Sequence, residues 1–232
     1  MVKDIVASGI LPDGALQLIC GSARTLLDHV ESQDVVTFTG SATTGRLLKS
    51  HQRMIDEAVP FNMEADSLNA IVLGEDVEPD SEEFKLFIKE VRREMTVKCG
   101  QKCTAIRRII VPESKLEDVQ LQLSAQLQKV AIGDPRNEKV RMGALAGKDQ
   151  LQEVRERVLE LAKNAEIVFG NPNDVKVVDG NLEKGAFMSP ILLRASDPLN
   201  NKEVHSIEAI GPVRTLLPYN GIDEAVELDK LG

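Results

Sequence analysis

Two of the three cysteines lie four residues apart in VKCGQKCTAIRR, residues 97–108, with a glycine and a polar pair between them. Such thiols can bind metal, form a disulfide, pack in a core or act as a nucleophile. A zinc site needs four ligands, usually as two close pairs of Cys or His. Cys99 and Cys103 have no second pair, Cys20 is isolated, and His29, His51 and His205 are scattered, so no metal is expected. An odd number of cysteines fits a reducing compartment better than a disulfide framework. Cys99 ends an apolar helical stripe and reads as packing. Cys103 follows Gly100-Gln101, which break that helix. A thiol at such a junction, with a helix N-terminus nearby, is where a thiolate nucleophile is stabilised. On these residues alone, packing and nucleophile both stay open for Cys103.

Three other stretches offer chemistry. In VTFTGSATTGRLL, residues 36–48, a strand runs through Gly40 and Ser41 into a helix whose first N–H groups can be capped or can hold a phosphate. In VPFNMEADSLNAIVLGEDV, residues 59–77, Glu64 ends an apolar strand. Partial desolvation there would raise its pKa towards that of a general base, whereas a rim carboxylate would stay in water. In HSIEAIGPVRTLLPY, residues 205–219, Glu208 precedes Ile210-Gly211-Pro212-Val213 and a strand.

Taken in order, F-T-G-S, a strand-end Glu, G-Q-x-C and E-x-I-G-P-V resemble the aldehyde dehydrogenase superfamily, whose usual forms are FTGS, ELGGK, GQ-x-C and E-x-F-G-P-V. GDP…MGALAG (133–147) and GAFMSPILL (185–193) look like the family's loop and its G-[YF]-F-x-x-P-T strand, so the resemblance covers essentially the whole chain. MEADSLN and GQKCTAIRR look most like the branch fused to hydratase domains in phenylacetate ring degradation, which oxidises an open-chain semialdehyde bearing CoA.

The resemblance implies oxidation of an aldehyde, in that branch a CoA-linked semialdehyde, to a carboxylic acid with NADP or NAD. Cys103 is the position of the nucleophile that forms the thiohemiacetal and then the thioester, and its N–H part of the oxyanion hole. Glu64 matches the base that activates the hydrolytic water. Gly40 and Ser41 match the pyrophosphate contact and Glu208 the nicotinamide-ribose contact. Ile210 stands where an aromatic ring usually touches the nicotinamide. Glu64-Ala65-Asp66-Ser67-Leu68 is two residues shorter than the family's form. Family members are longer and form homo-oligomers. The chain enters in mid-pattern and leaves on a helix, and is expected to be an internal fragment. The alternative is therefore an inactive truncated piece with a structural or interaction role. A thiol acyltransferase ranks below both, because no His partner is near Cys103 in sequence.

The elements that must position these residues alternate between β-rich and amphipathic runs, as in an α/β fold with parallel strands. The resemblance implies the C-terminal part of a Rossmann-like cofactor domain, residues 1–74, followed by an α/β catalytic domain, residues 75–232. Strands are expected at 15–20, 34–40, 59–63, 70–73, 107–113, 166–169, 186–194 and 213–219. Helices are expected at 2–9, 22–30, 42–55, 81–98, 115–130, 148–164 and 221–230. In the fifth of these spans Leu116, Val119, Leu123 and Leu127 share one face. The stripe Phe84, Phe87, Ile88, Val91 and Met95 reads as core rather than a cofactor box.

The 232 residues are 42% apolar and 28% charged, the composition of an ordinary globular protein. A net charge of −9 argues against nucleic acid, and the lack of Trp argues against stacking platforms. No membrane span or signal peptide is legible, and the chain reads as cytoplasmic.

Overall fold

Threonine and larger apolar residues fill Val36–Gly40, and in the computed structural model this run is strand β1. The structure describes residues 1–21 and 25–232. These form two units, Met1–Asp66 and Ser67–Gly232. The first opens with helix α1 (Val2–Ala7). β1 pairs in parallel with β2 (Phe61–Ala65), which sets Thr39 opposite Glu64 and Gly40 opposite Ala65. Parallel strands need a crossover, supplied here by α2 (Ala42–Lys49) and α3 (Gln52–Asp56). The buried side chains of this unit are few: Leu27, Met54 and Val59, with Val36, Leu48 and Phe61 packed against them.

Several expectations change here. Residues 15–20 are not a buried strand, and Leu18 and Ile19 are 61% and 64% exposed. A strand exists through a neighbour's N–H and C=O groups, and apolar composition supplies no such ladder. Of the helix expected over 22–30, residues 22–24 lie outside the described residues, and Leu26–His29 is a short 3₁₀ turn. The helix expected over 42–55 is two. His51 is extended at φ −61, ψ 133, its Nδ1 accepts the Arg53 N–H, and its Nε2 lies 3.1 Å from Asp28. β2 starts after Pro60, which has no N–H to give a ladder.

The second unit is a five-stranded sheet. Its strands are β3 (Ala70–Val72), β4 (Arg108–Pro112), β5 (Glu166–Phe169), β6 (Ile191–Arg194) and β7 (Val213–Tyr219), in the order β3-β4-β7-β6-β5. All pairs are parallel except β5 with β6 at the edge. The α/β class expected from the sequence is the class observed. β3 belongs to this unit, so the division falls at Asp66/Ser67 rather than at 74/75. Of the strand expected over 186–194 only the last four residues are extended in the ladder, beginning immediately after Pro190.

Every residue of β4 and β7 is buried, as in parallel strands covered on both faces. Alternate side chains divide between the faces. Ile109, Val111, Leu192 and Leu216 meet α4 (Glu82–Thr96) and α5 (Leu116–Leu127). Ile110, Leu193, Leu217 and Tyr219 meet α6 (Lys148–Leu161) and α7 (Ile222–Lys230).

α4 forms where its sequence says it should. Ser81 caps it by accepting the Phe84 N–H, Glu82 and Glu83 complement the dipole of the first turn, and the expected apolar stripe is buried. Each stripe residue contributes about 1.5–3 kcal/mol by burial. α5 likewise buries Leu116, Val119, Leu123 and Leu127. At the far end of the sheet the Tyr219 hydroxyl donates to Leu73 O at 2.7 Å. Arg108 closes the C-terminus of α7, donating to Leu228 O and Asp229 O, and also holds Leu68 O.

Leu123 is fully buried and Leu121, on the same helix, is 71% exposed. Leu123→Ala is expected to lower unfolding free energy by about 2–5 kcal/mol and Leu121→Ala by less than about 0.5 kcal/mol, read from urea denaturation midpoints and slopes.

Candidate functional site

The cysteine-bearing segment is shaped by a helix that ends abruptly. Val97 is extended, and Lys98, Cys99 and Gly100 follow with φ of 51, 53 and 70. Two consecutive non-glycine residues in left-handed conformation cost on the order of 1–3 kcal/mol each, so the surroundings must hold them. Gly100 is pressed against the backbone of Gly211, where any Cβ would run into the Gly211 carbonyl. Cys99 is turned into the core, 1% exposed, and burial pushes its thiol up to about 12, with Arg214 opposing the shift. Cys103, four residues on, sits exposed in a turn before β4. No helix begins there, so the helix-terminus environment expected from the sequence is not the one that surrounds this thiol.

What holds the loop is Arg107. Its side chain is 4% exposed, and Nε and Nη2 both reach Glu208 Oε1 at 3.0 Å. Nη1 donates to Gly100 O at 2.9 Å and Gly211 O at 3.2 Å, and Nη2 to Lys102 O at 3.2 Å. Burial pulls the Arg107 pKa below the usual guanidinium value, and the Glu208 carboxylate pulls it back up. The second Glu208 oxygen accepts the Ser67 N–H at 2.8 Å. Both oxygens are thus engaged, yet a carboxylate offers about four lone-pair sites, so Glu208 retains capacity for a ligand hydroxyl.

Further ties fix the same loop. Asn69 Nδ2 donates to Cys103 O and Ala105 O, while its own carbonyl accepts the N–H groups of Arg107 and Arg108. Lys102 Nζ grips Glu94 at 2.6 Å, and Gln101 Oε1 accepts the Ala146 N–H. Behind them Arg214 is wholly buried and donates to the carbonyls of Gly211, Val213 and Glu94, its Nε lacking a partner among the described residues. Burial, and then Arg107, hold its pKa well below the guanidinium value. Ile210 is half-buried in the turn between Glu208 and β7.

In the first unit, Gly40 ends β1 and Ser41 is the N-cap of α2, its Oγ accepting the Thr44 N–H at 3.2 Å and donating to Thr44 Oγ1. A Cβ at Gly40 would meet the Phe38 ring, and one at Gly45 the Met63 side chain. A side chain at Gly45 would displace Met63 of β2 from the face of α2, and one at Gly40 would displace the Phe38 ring on its own strand. The Ala42 N–H is taken by Asp66 Oδ1 at 3.0 Å. A helix N-terminus of this kind is where a phosphate can be held, and here two of its first amides are already engaged, Ala42 by Asp66 and Thr44 by Ser41. Glu64 is exposed on β2, the water-facing alternative of the two environments weighed from the sequence.

Cys103, Glu208 and Ile210 belong to the second unit, where Arg107 links the carbonyl of Lys102, just before Cys103, to the Glu208 carboxylate. Gly40, Ser41 and Glu64 belong to the first. Arg107 and Asn69 were not singled out from sequence. The one available signal was the doubled Arg107-Arg108 at the start of a strand whose other residues are apolar.

The aldehyde dehydrogenase family model matches residues 1–229. A 3,4-dehydroadipyl-CoA semialdehyde dehydrogenase of Aromatoleum evansii is 44% identical over 232 residues, which is 100% of this chain and 45% of that protein. Betaine aldehyde dehydrogenase of Staphylococcus aureus, crystallised with NAD+, superposes with a TM-score of 0.83 at 22% identity, over 99% of this chain and 44% of that one. An NAD-dependent aldehyde dehydrogenase of Sinorhizobium meliloti gives 0.82 at 22% identity, over 98% and 43%. The chain therefore spans less than half the length of these relatives.

Gly100→Ala is expected to cost at least about 1–3 kcal/mol, from strain and the blocked approach to Gly211. Gly143→Ala, where a Cβ meets nothing within 4 Å, is expected to stay within about 1 kcal/mol of wild type; chemical denaturation compares them. In iodoacetamide labelling at mildly alkaline pH, Cys20 and Cys103 should react in the folded protein. Cys99, neutral below its raised pKa of about 12 and buried, should react only on unfolding, as peptide mass spectrometry would read.

Proposed function

We propose that this chain, which belongs to the aldehyde dehydrogenase family, carries the nucleophile and part of the cofactor site of an enzyme oxidising a CoA-linked semialdehyde to its carboxylic acid with NAD or NADP. The observation that carries this reading is the join made by Arg107. One guanidinium holds both the carbonyl of Lys102, which immediately precedes the exposed Cys103, and the carboxylate of Glu208, 101 residues from Arg107 in sequence. The CoA-linked substrate class is supported by the Aromatoleum evansii relative, and phenylacetate catabolism is a setting in which such open-chain semialdehydes arise. The division into a partial cofactor-binding unit and a catalytic unit goes with the same reading.

In this mechanism the Cys103 thiolate adds to the aldehyde carbon, and the Cys103 N–H donates to the oxygen as it becomes an anion. When bound, the nicotinamide cofactor supplies the acceptor for the hydride that leaves the thiohemiacetal carbon. Glu208 would accept from the ribose hydroxyls, and Ser41 with the first turn of α2 would receive the pyrophosphate. Ile210 would face the nicotinamide. Glu64 takes a proton from the water that hydrolyses the Cys103 thioester, returning the thiol and releasing the acid.

A second reading is a structural or subunit-contact piece without turnover. Fluorescence titration with NADH and NADPH separates the two, since binding is expected for the first and its absence at millimolar nucleotide supports the second. With CoA-linked and free aldehydes, Cys103→Ala should lower NAD(P)H formation by at least about 10³-fold. Glu64→Gln should preserve a first-turnover burst and slow the steady state. Unchanged turnover in Cys103→Ala would remove Cys103 from the mechanism.

A further inference from the structure

The geometry points to Arg107 as a positioning residue that aims the backbone N–H of Cys103 while holding Glu208, so that one buried guanidinium sets the oxyanion donor and the cofactor-ribose carboxylate together. The inference rests on the reading of Cys103 and Glu208 proposed above and adds a residue to which that reading gives no role.

The argument turns on the peptide plane. The Lys102 carbonyl and the Cys103 N–H belong to one planar trans unit, so they point in opposite directions. Among the described residues no peptide bond is cis. The Lys102 oxygen accepts the Ala105 N–H at 3.1 Å within the turn and Arg107 Nη2 at 3.2 Å from outside it, and the second bond keeps the Cys103 N–H aimed away from the guanidinium. Among the described residues this N–H has no acceptor, as suits a donor kept for a ligand.

The same guanidinium fixes both neighbours of that plane. Nη1 ties Gly100 O to Gly211 O, and Nε with Nη2 ties Glu208. A planar five-donor fork can satisfy these acceptors at once, and an ammonium cannot. Arg108, one residue on, does different work at the end of α7.

Lysine at position 107 keeps a cation for Glu208 but loses the multipoint grip on the carbonyls, which gives a test with a built-in split. The probe is p-nitrophenyl acetate, which needs no cofactor. The Cys103 thiolate attacks the acetyl carbon, the oxygen becomes an anion facing the Cys103 N–H, and p-nitrophenolate leaves as the thioester forms. Iodoacetamide alkylates the same thiol with no oxyanion.

In folded Arg107→Lys, acylation is expected to fall about a hundredfold, while Cys103 alkylation stays within about threefold and NADH affinity within about threefold. Arg107→Met should lose acylation equally and NADH affinity by about tenfold. If Arg107→Met does not fold, Arg107→Lys decides alone. Acylation within twofold of wild type in Arg107→Lys, an equal loss of acylation and alkylation, or a wild-type chain with no Cys103-dependent acylation each overturns the proposal. A wild-type chain that acylates at Cys103 but binds no NADH sinks the cofactor reading and leaves Arg107 to be judged by the ester.

Discussion

The ion pair between Arg107 and Glu208 is the interaction on which the local architecture depends. Two charges withdrawn from water are tolerated only where attraction and further hydrogen bonds replace hydration. Here Glu208 is also held by the Ser67 N–H, and Arg107 by the carbonyls of Gly100, Lys102 and Gly211. Losing either partner of such a pair costs about 3–5 kcal/mol, because the other is left buried and uncompensated. The pair therefore keeps two distant stretches of chain, the cysteine loop and the turn before β7, in a single arrangement.

That arrangement carries strain which the pair and its surroundings offset. Lys98 and Cys99 occupy left-handed backbone without being glycine, and Gly100 admits no side chain beside Gly211. The reversal lets Cys99 enter the core and leaves Cys103 outside it. Burial of Cys99 keeps one thiol neutral and packed, while the exposed turn leaves the other open to a reagent. Two cysteines of the same chemistry thereby acquire different environments from three residues of backbone.

Much of the fold was legible because the physics involved is local. The stripe from Phe84 to Met95 is a period signal, and it is realised in α4. The apolar runs of β4 and β7 are what a strand covered on both faces requires. Residues 15–20 misled because apolar composition does not reveal whether a neighbouring strand exists. The break at His51 was hidden for a related reason, since its side chain answers to Arg53 and Asp28 rather than to helix propensity. At the candidate site, the order of Ser41, Glu64, Cys103 and Glu208 was readable as a family pattern. The environment of Glu64 and the grip of Arg107 were not.

The sequence by itself determined the family, the α/β class, the core faces of its helices and the distinction between Cys99 and Cys103. The class and the core faces follow from residue type and periodicity within short windows, and the family and the part expected of Cys103 from the resemblance carried by motifs ordered along the whole chain. Only the tertiary structure decided that Arg107, rather than a helix N-terminus, lies against the peptide group before Cys103, and that Ser67 holds Glu208 and Asn69 the Cys103 carbonyl. A guanidinium finds its acceptors across 101 residues of chain only after the sheet has brought β4 and the turn before β7 side by side. Sequence spacing carries no record of that distance, because the hydrogen bonds are made through space.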